Sequence, residues 1–156
     1  MSFSRIEKIH FVLNPNAGNG SPLKFFPEIE EELISKNVKY TVFKSQGKND
    51  IFNHVISDEI PECDVICAMG GDGTIHETAD GLMQSGKTSD LAFSVIPSGT
   101  GNAFAQTLGE LKPKKAIQKI LQGERQEIDA MEIRQGSKVS YAVNIIGWGM
   151  ASRVNQ

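Results

Sequence analysis

Three apolar runs in this chain end in glycine: "IHFVL" leads into "NPNAGNGS", "DVICAM" into "GGDGT", and "LAFSVI" into "PSGTGNAFA". Near-continuous apolar runs of this length are strands buried on both faces, which is the pattern of a parallel sheet rather than of a one-sided antiparallel one. Between them lie segments of helical spacing. Ser21 as N-cap with Pro22 at the first helical position opens a helix whose Leu23, Phe26, Ile29, Leu33 and Ile34 face inward. "VKYTVF" alternates like a strand, and "NDIFNHVIS" is a short helix capped by Asn49. Ile75, Ala79, Leu82 and Met83 give the next segment an apolar stripe. Strand and helix in alternation predict an α/β fold, a three-layer, doubly wound parallel sheet covered on both faces.

The pattern changes after a helix over Pro113–Leu121, which is marked by Ala116, Ile117, Ile120 and Leu121 and stopped by Gly123. "QEIDAMEIRQGSKVSYAVNIIGWG" reads as two strands around a "QGSK" turn. The expected division is therefore an α/β domain over 1–123 and the first hairpin of a β-rich second domain, incomplete, over 124–156. A lone hairpin is marginal in water, so it must pack on the first domain or belong to something longer.

Composition narrows the classes of function. The net charge of −3 carries no basic excess, which argues against a nucleic-acid partner. No apolar run is long enough for a transmembrane segment, and "MSFSRIEKIH" lacks the regions of a signal peptide. A cytoplasmic location is the expectation, with contact at membrane surfaces through Lys112, Lys114, Lys115 and Lys119 as a minor reading beside a solvated helix face. Cys63 and Cys67 in "CDVIC" fall on one face of a strand, too far apart for an easy disulfide, and read as buried thiols.

In an open parallel sheet the carboxyl ends of the strands share an edge, and ligands bind in the crevice there. Three glycine-rich loops on that edge point to phosphate, because glycine lets backbone N–H groups approach an anion and a following helix adds positive potential. The chain has no G-x-x-x-x-G-K-[ST], no G-x-G-x-x-G and none of the protein-kinase motifs. Asp72, among Gly70, Gly71 and Gly73, reads either as the N-cap of the next helix or as an acid aimed at whatever the loop holds.

"GGDGT", with "NPNAG" upstream and "PSGTGNAFA" downstream, resembles the catalytic domain of the diacylglycerol kinase and sphingosine kinase family of lipid kinases across almost the whole chain. "GTIHETADGLM", "GTGNAFA" and "NIIGWGMAS" are most similar to the sphingosine-kinase-like branch. The resemblance implies a first domain like those of NAD kinase and diacylglycerol kinase, ATP as donor, Mg²⁺ as its partner and a lipid hydroxyl at a membrane surface as acceptor. It also implies enzymes about twice this length, so the chain looks truncated. Asp72 would then take the hydroxyl proton or orient Mg²⁺. Asn14, Asn16 and Gly18, the backbone around Gly70, Gly71 and Gly73, the Thr74 hydroxyl, and Ser98, Gly99, Thr100, Gly101 and Asn102 would hold the nucleotide. For the asparagines and the loop polar groups, ordinary turn and cap chemistry is the competing reading.

Glu77 is placed to point back toward the glycine loop or to accept a hydrogen bond from it, on the substrate side. His76 is not needed as an acid, and His10 and His54 read as packing or surface residues. The resemblance implies Asp129 as a domain-edge or Mg²⁺-network residue, and a strand-end cap fits it equally. Arg153 and Asn155 stand where sphingosine kinases carry acids, which weakens a sphingoid base as acceptor and makes diacylglycerol or ceramide a competitor. A non-catalytic nucleotide-binding fragment is the competing class. NAD kinase shares "GGDGT" but carries a different second loop.

Overall fold

The computed structural model describes residues 2–3, 5–57, 59–89, 91–99, 103–109 and 112–143. A short strand β1 (Ser2–Phe3) precedes β2 (Lys8–Leu13), α1 (Ser21–Ser35), β3 (Lys39–Lys44), α2 (Asp50–Ile56) and β4 (Val65–Gly70). Then follow α3 (Asp72–Ser85), β5 (Ala92–Pro97), α4 (Ala103–Thr107), α5 (Pro113–Leu121), β6 (Glu124–Arg125) and the hairpin β7 (Met131–Gln135) and β8 (Lys138–Ala142).

The four long strands form a parallel sheet in the order β3-β2-β4-β5, the doubly wound arrangement expected. Its alternation sorts side chains into two cores. Ile9, Phe11, Leu13, Val65, Cys67 and Met69 pack with Ile29 and Leu33 of α1 and Ala116 and Ile117 of α5. Val12, Ile66 and Ala68 pack on the other face with Ile51 and Val55 of α2, Ile75 and Leu82 of α3, and Phe104 of α4. Every residue of β4 is buried, which explains why that strand reads as a continuous apolar run. Fully burying one such Ile or Leu contributes about 1.5–3 kcal/mol.

Several local expectations are corrected. Leu23 and Ile34 are 45% and 68% exposed. The face of α1 turned to the sheet is centred on Ile29 and Leu33, and both of those residues lie off it. Gly20, with φ of 80°, takes the N-cap position of α1, while Ser21 is the helix's first residue and donates its hydroxyl to the Gly18 carbonyl. Asn49 precedes α2 with φ of 65° and makes no side-chain cap. Cys63 lies before β4 and so does not share a strand face with Cys67. Both thiols are free, and burial pushes both upward in pKa.

β6 pairs antiparallel with β1, tying the segment after Gly123 back to the amino terminus. The β7–β8 hairpin packs on α3 through Gln84, whose amide donates to the Val139 carbonyl at 3.0 Å. Lys114 faces Glu28 and Glu32 at 3.7 and 3.8 Å, and Lys119 donates to the Leu108 carbonyl. Lys114 and Lys119 are thus engaged within the protein, so the solvated-face reading carries over as a partly paired one.

Candidate functional site

The chain runs from β2 out to β3 and returns across β2 to β4, so the winding reverses between β2 and β4. A doubly wound sheet opens its crevice at that reversal, beyond the carboxyl ends of the strands. The loops after β2 and β4 flank it, and the loop after β5 adjoins. Main-chain bonds lock the three together: Asn14 N–H donates to the Met69 carbonyl at 3.1 Å, and Ser98 N–H to the Gly70 carbonyl at 3.3 Å.

Close approach, rather than loop flexibility, accounts for two of the glycines. Gly18 has φ of 50°, and a Cβ there would lie 2.2 Å from the Ser98 carbonyl oxygen. A Cβ on Gly70 would lie 2.3 Å from Thr74 Oγ1. Thr74 is therefore packed under the strand end, 5% exposed. Gly71 sits beside Gly99, at 3.6 Å from where its Cβ would be to the Gly99 Cα. Gly73 differs, because nothing lies within 4 Å of the position a Cβ would take. The protein's own packing gives no reason for glycine there, in the first turn of a helix where glycine costs about 1 kcal/mol relative to alanine. A Cβ at Gly73 would stand in open space, and the exposed amino end of α3 there suits an anionic group.

Gly71 is the N-cap of α3, and Asp72 is the helix's first residue. The N-cap alternative for Asp72 is thus corrected: its carboxylate lies in the first turn, where the helix dipole favours negative charge. Its Oδ1 is withdrawn from solvent. Asn14 Oδ1 accepts the Asn16 N–H at 3.0 Å, closing the first turn of its loop, and Asn16 itself is exposed. Ser98 is 4% exposed. Thr100, Gly101, Asn102, Arg153 and Asn155 lie outside the described residues.

Glu77 does not point toward the loop. Oε1 accepts the Asn49 N–H at 3.1 Å and Oε2 the Phe52 N–H at 3.4 Å, so the carboxylate caps α2 in place of the Asn49 side chain. Sequence reading missed the segment after β3, which emerges at the same sheet edge. There Ser45 is 7% exposed and Asp50 Oδ2 accepts the N–H groups of Gln46 and Gly47 at 2.7 and 3.1 Å. Its signal was the glycine of "SQGKN" directly after an alternating strand.

His10 and His54 lie away from the loops and form a pair. Their Nε2 atoms are 2.8 Å apart, His10 Nδ1 is 2.7 Å from Thr41 Oγ1, and His54 stacks on Phe43. Burial, helped by the neighbouring His54, lowers His10 to a pKa of about 4. Asp129 is exposed just before β7. Among the described residues no three His, Cys, Asp or Glu side chains gather as a metal site, and no helix is long and apolar enough to cross a membrane.

Comparison with known proteins bears on the whole arrangement. The chain is 29% identical over 146 residues to sphingoid long chain base kinase 4 of Schizosaccharomyces pombe, covering 88% of this chain and 31% of that protein. It is 26% identical over 131 residues to sphingosine kinase B of Dictyostelium discoideum, covering 82% of this chain and 17% of that protein. A crystal structure of a diacylglycerol kinase from Bacillus anthracis superposes with a TM-score of 0.70 at 25% identity, over 81% of this chain and 44% of that one. The chain thus spans less than half the length of each. The glycine loops, the sheet that carries them and the first residues of β7 fall within residues 8–133, which match the diacylglycerol kinase catalytic domain, and the chain belongs to that family of lipid kinases.

Proposed function

We propose that this domain binds ATP with Mg²⁺ at the loop cluster and serves the transfer of its γ-phosphoryl group to a lipid hydroxyl. The observation that supports it most is the convergence of three strand-end loops at the winding reversal, with Asp72 leading the helix between them. Phosphoryl transfer asks for positioning and charge stabilisation more than for covalent chemistry. Backbone N–H groups around Gly71, Gly73 and Gly99 would hold phosphate oxygens, and the amino end of α3 would add positive potential. Gly18 lets the first loop close on Ser98, and the loop through Thr100, Gly101 and Asn102 would complete the nucleotide's side.

Magnesium of the nucleotide-bound kind takes one or two carboxylates together with phosphate oxygens. One carboxylate at the loop mouth, Asp72, suits a cation that arrives with ATP, whose charge it would offset while the phosphates complete its coordination. In the transfer, Asp72 accepts the proton of the acceptor hydroxyl as the new O–P bond forms and the bond to the leaving diphosphate oxygen breaks. A neutral lipid such as diacylglycerol or ceramide suits the Arg153 and Asn155 side chains better than an ammonium-bearing sphingoid base does. A protein acting this way would be cytoplasmic and would meet its lipid at a membrane surface.

Asp72→Asn is expected to abolish transfer in a lipid-panel kinase assay, while Mg·ATP affinity by titration calorimetry stays within a few-fold. Retained turnover would remove Asp72 from the chemistry. The second reading, a nucleotide-binding unit without turnover of its own, is favoured by the 44% of the diacylglycerol kinase chain that this chain spans. Phosphorylated lipid made by the 156-residue chain would defeat that reading, and no Mg·ATP binding would defeat both.

A further inference from the structure

Asp80 lies about two turns beyond Asp72 on α3, away from the loops, and is 8% exposed. A carboxylate this well buried needs hydrogen bonds to offset its desolvation. It has them from outside its own helix. Oδ1 accepts the backbone N–H of Tyr141 at 2.8 Å, and Oδ2 accepts the hydroxyl of Ser140 at 2.9 Å. Gln84, one turn on, donates Nε2–H both to Asp80 Oδ1 at 2.9 Å and to the Val139 carbonyl at 3.0 Å.

Val139 and Tyr141 are two apart on β8, so in an antiparallel ladder both turn their main-chain groups to the same edge. β7 occupies the other edge, where Glu132 faces Tyr141 and Arg134 faces Val139. One side-chain acceptor and one side-chain donor on α3 therefore do for the outer edge of β8 what a neighbouring strand would do. An unpaired edge is closed, and the hairpin is fixed in register against a helix.

We propose that Asp80, with Gln84, is a positioning residue that sets the β7–β8 hairpin relative to Asp72. The two carboxylates sit on one helix, about 12 Å apart along its axis at 1.5 Å per residue, so the hairpin's place is referred to the loop cluster through one rigid element. The consequence for catalysis rests on the phosphoryl-transfer reading; the latch does not.

Two variants and two measurements test it in the full chain. In Asp80→Ala, amide hydrogen exchange over 131–142 is expected to speed up at least ten-fold, with Tyr141 foremost, while amides of 65–70 in β4 keep their wild-type protection. Asp80→Asn, which keeps one acceptor oxygen, is expected to stay within about three-fold of wild type. Hairpin protection unchanged in Asp80→Ala would overturn the proposal. If Asp80→Ala does not fold, Gln84→Ala, an exposed site, takes its place, with faster hairpin exchange supporting the latch and unchanged exchange refuting it. In the transfer assay a positioning role predicts kcat down at least ten-fold with KM for ATP within three-fold, and recovery in Asp80→Asn. Unchanged kcat with a released hairpin would overturn the positioning role. Absence of transfer in the wild type would refute the phosphoryl reading and leave the latch to be decided by exchange.

Discussion

Gly18→Ala separates two properties that glycine combines at one position. Its φ of 50° lies in the left-handed region, where an alanine costs about 1–2 kcal/mol. The added Cβ would also stand 2.2 Å from the Ser98 carbonyl oxygen, so the first and third loops must part by about 1.2 Å to reach an ordinary contact of 3.4 Å. Gly136, in the hairpin turn, supplies the control: its φ is 61°, and nothing lies within 4 Å of the Cβ position. Gly136→Ala pays the backbone strain alone. Gly136→Ala is expected to lose about 1–2 kcal/mol in urea unfolding, and Gly18→Ala more, because the clash with Ser98 adds to the same strain. Only Gly18→Ala is expected to weaken Mg·ATP binding, by at least ten-fold in titration calorimetry, since misplacement of about 1 Å can cost on the order of a hundred-fold in a positioned site. Equal nucleotide affinity in the two variants would show that contact between the loops does not shape the site.

Gly81→Ala gains about 1 kcal/mol of helix propensity, but its Cβ would meet the Val55 Cβ at 2.9 Å and the Phe52 carbonyl at 3.2 Å. Overpacking costs about 1–3 kcal/mol, so thermal melting should show net destabilisation, and a raised melting temperature would mean that α2 and α3 part freely. Glu77→Gln keeps one acceptor and loses the charge at the amino end of α2; a loss of about 1 kcal/mol with faster exchange at Asn49 and Phe52 is expected, and unchanged exchange would deny Glu77 its capping role. The His10–His54 pair makes stability depend on pH. Because His10 is lowered to about 4 in the folded chain against about 6.5 unfolded, the unfolded state binds more protons between those values. Stability is therefore full above pH 6.5 and falls toward pH 4, by on the order of 3 kcal/mol. Urea midpoints between pH 7 and 5, above most of the carboxylate range, read it, and His10→Gln should flatten the slope.

The sheet was legible because burial on both faces leaves its strands almost without polar residues. β4 needed only its composition, and its ends came within a residue of "DVICAM". The loop cluster was legible because three buried strands of one parallel sheet run into glycine-rich segments at a shared edge. What could not be read were contacts set by side-chain direction across elements. Ile34 matches helical spacing as well as Leu33 does, and only the crossing of α1 over the sheet decides which of them joins the core. Asn49 has good capping chemistry, but its left-handed backbone turns the side chain away, and Glu77 takes over from 28 residues further along. The Asp80 latch gave no local signal of the hairpin it holds, because its partners on β8 lie 60 and 61 residues away.

α3 shows why those long-range partners matter. It contains Gly73, Thr74, Thr78, Asp80 and Gly81, which together make it on the order of 4 kcal/mol worse as a helix than alanine would be at those positions. Most of these weak helix formers stand where α3 meets something else. Thr74 fills the space under Gly70, Asp80 holds β8, and Gly81 admits Val55, while Gly73 borders open space. Thr78 instead returns its hydroxyl to the Thr74 carbonyl at 2.7 Å. Conflict between local preference and the final structure tends to mark sites under functional demand. Here it means that the helix leading from Asp72 is held by the sheet, by α2 and by the hairpin rather than by its own sequence. Anything that loosens one of those contacts is therefore felt at the carboxylate that begins it.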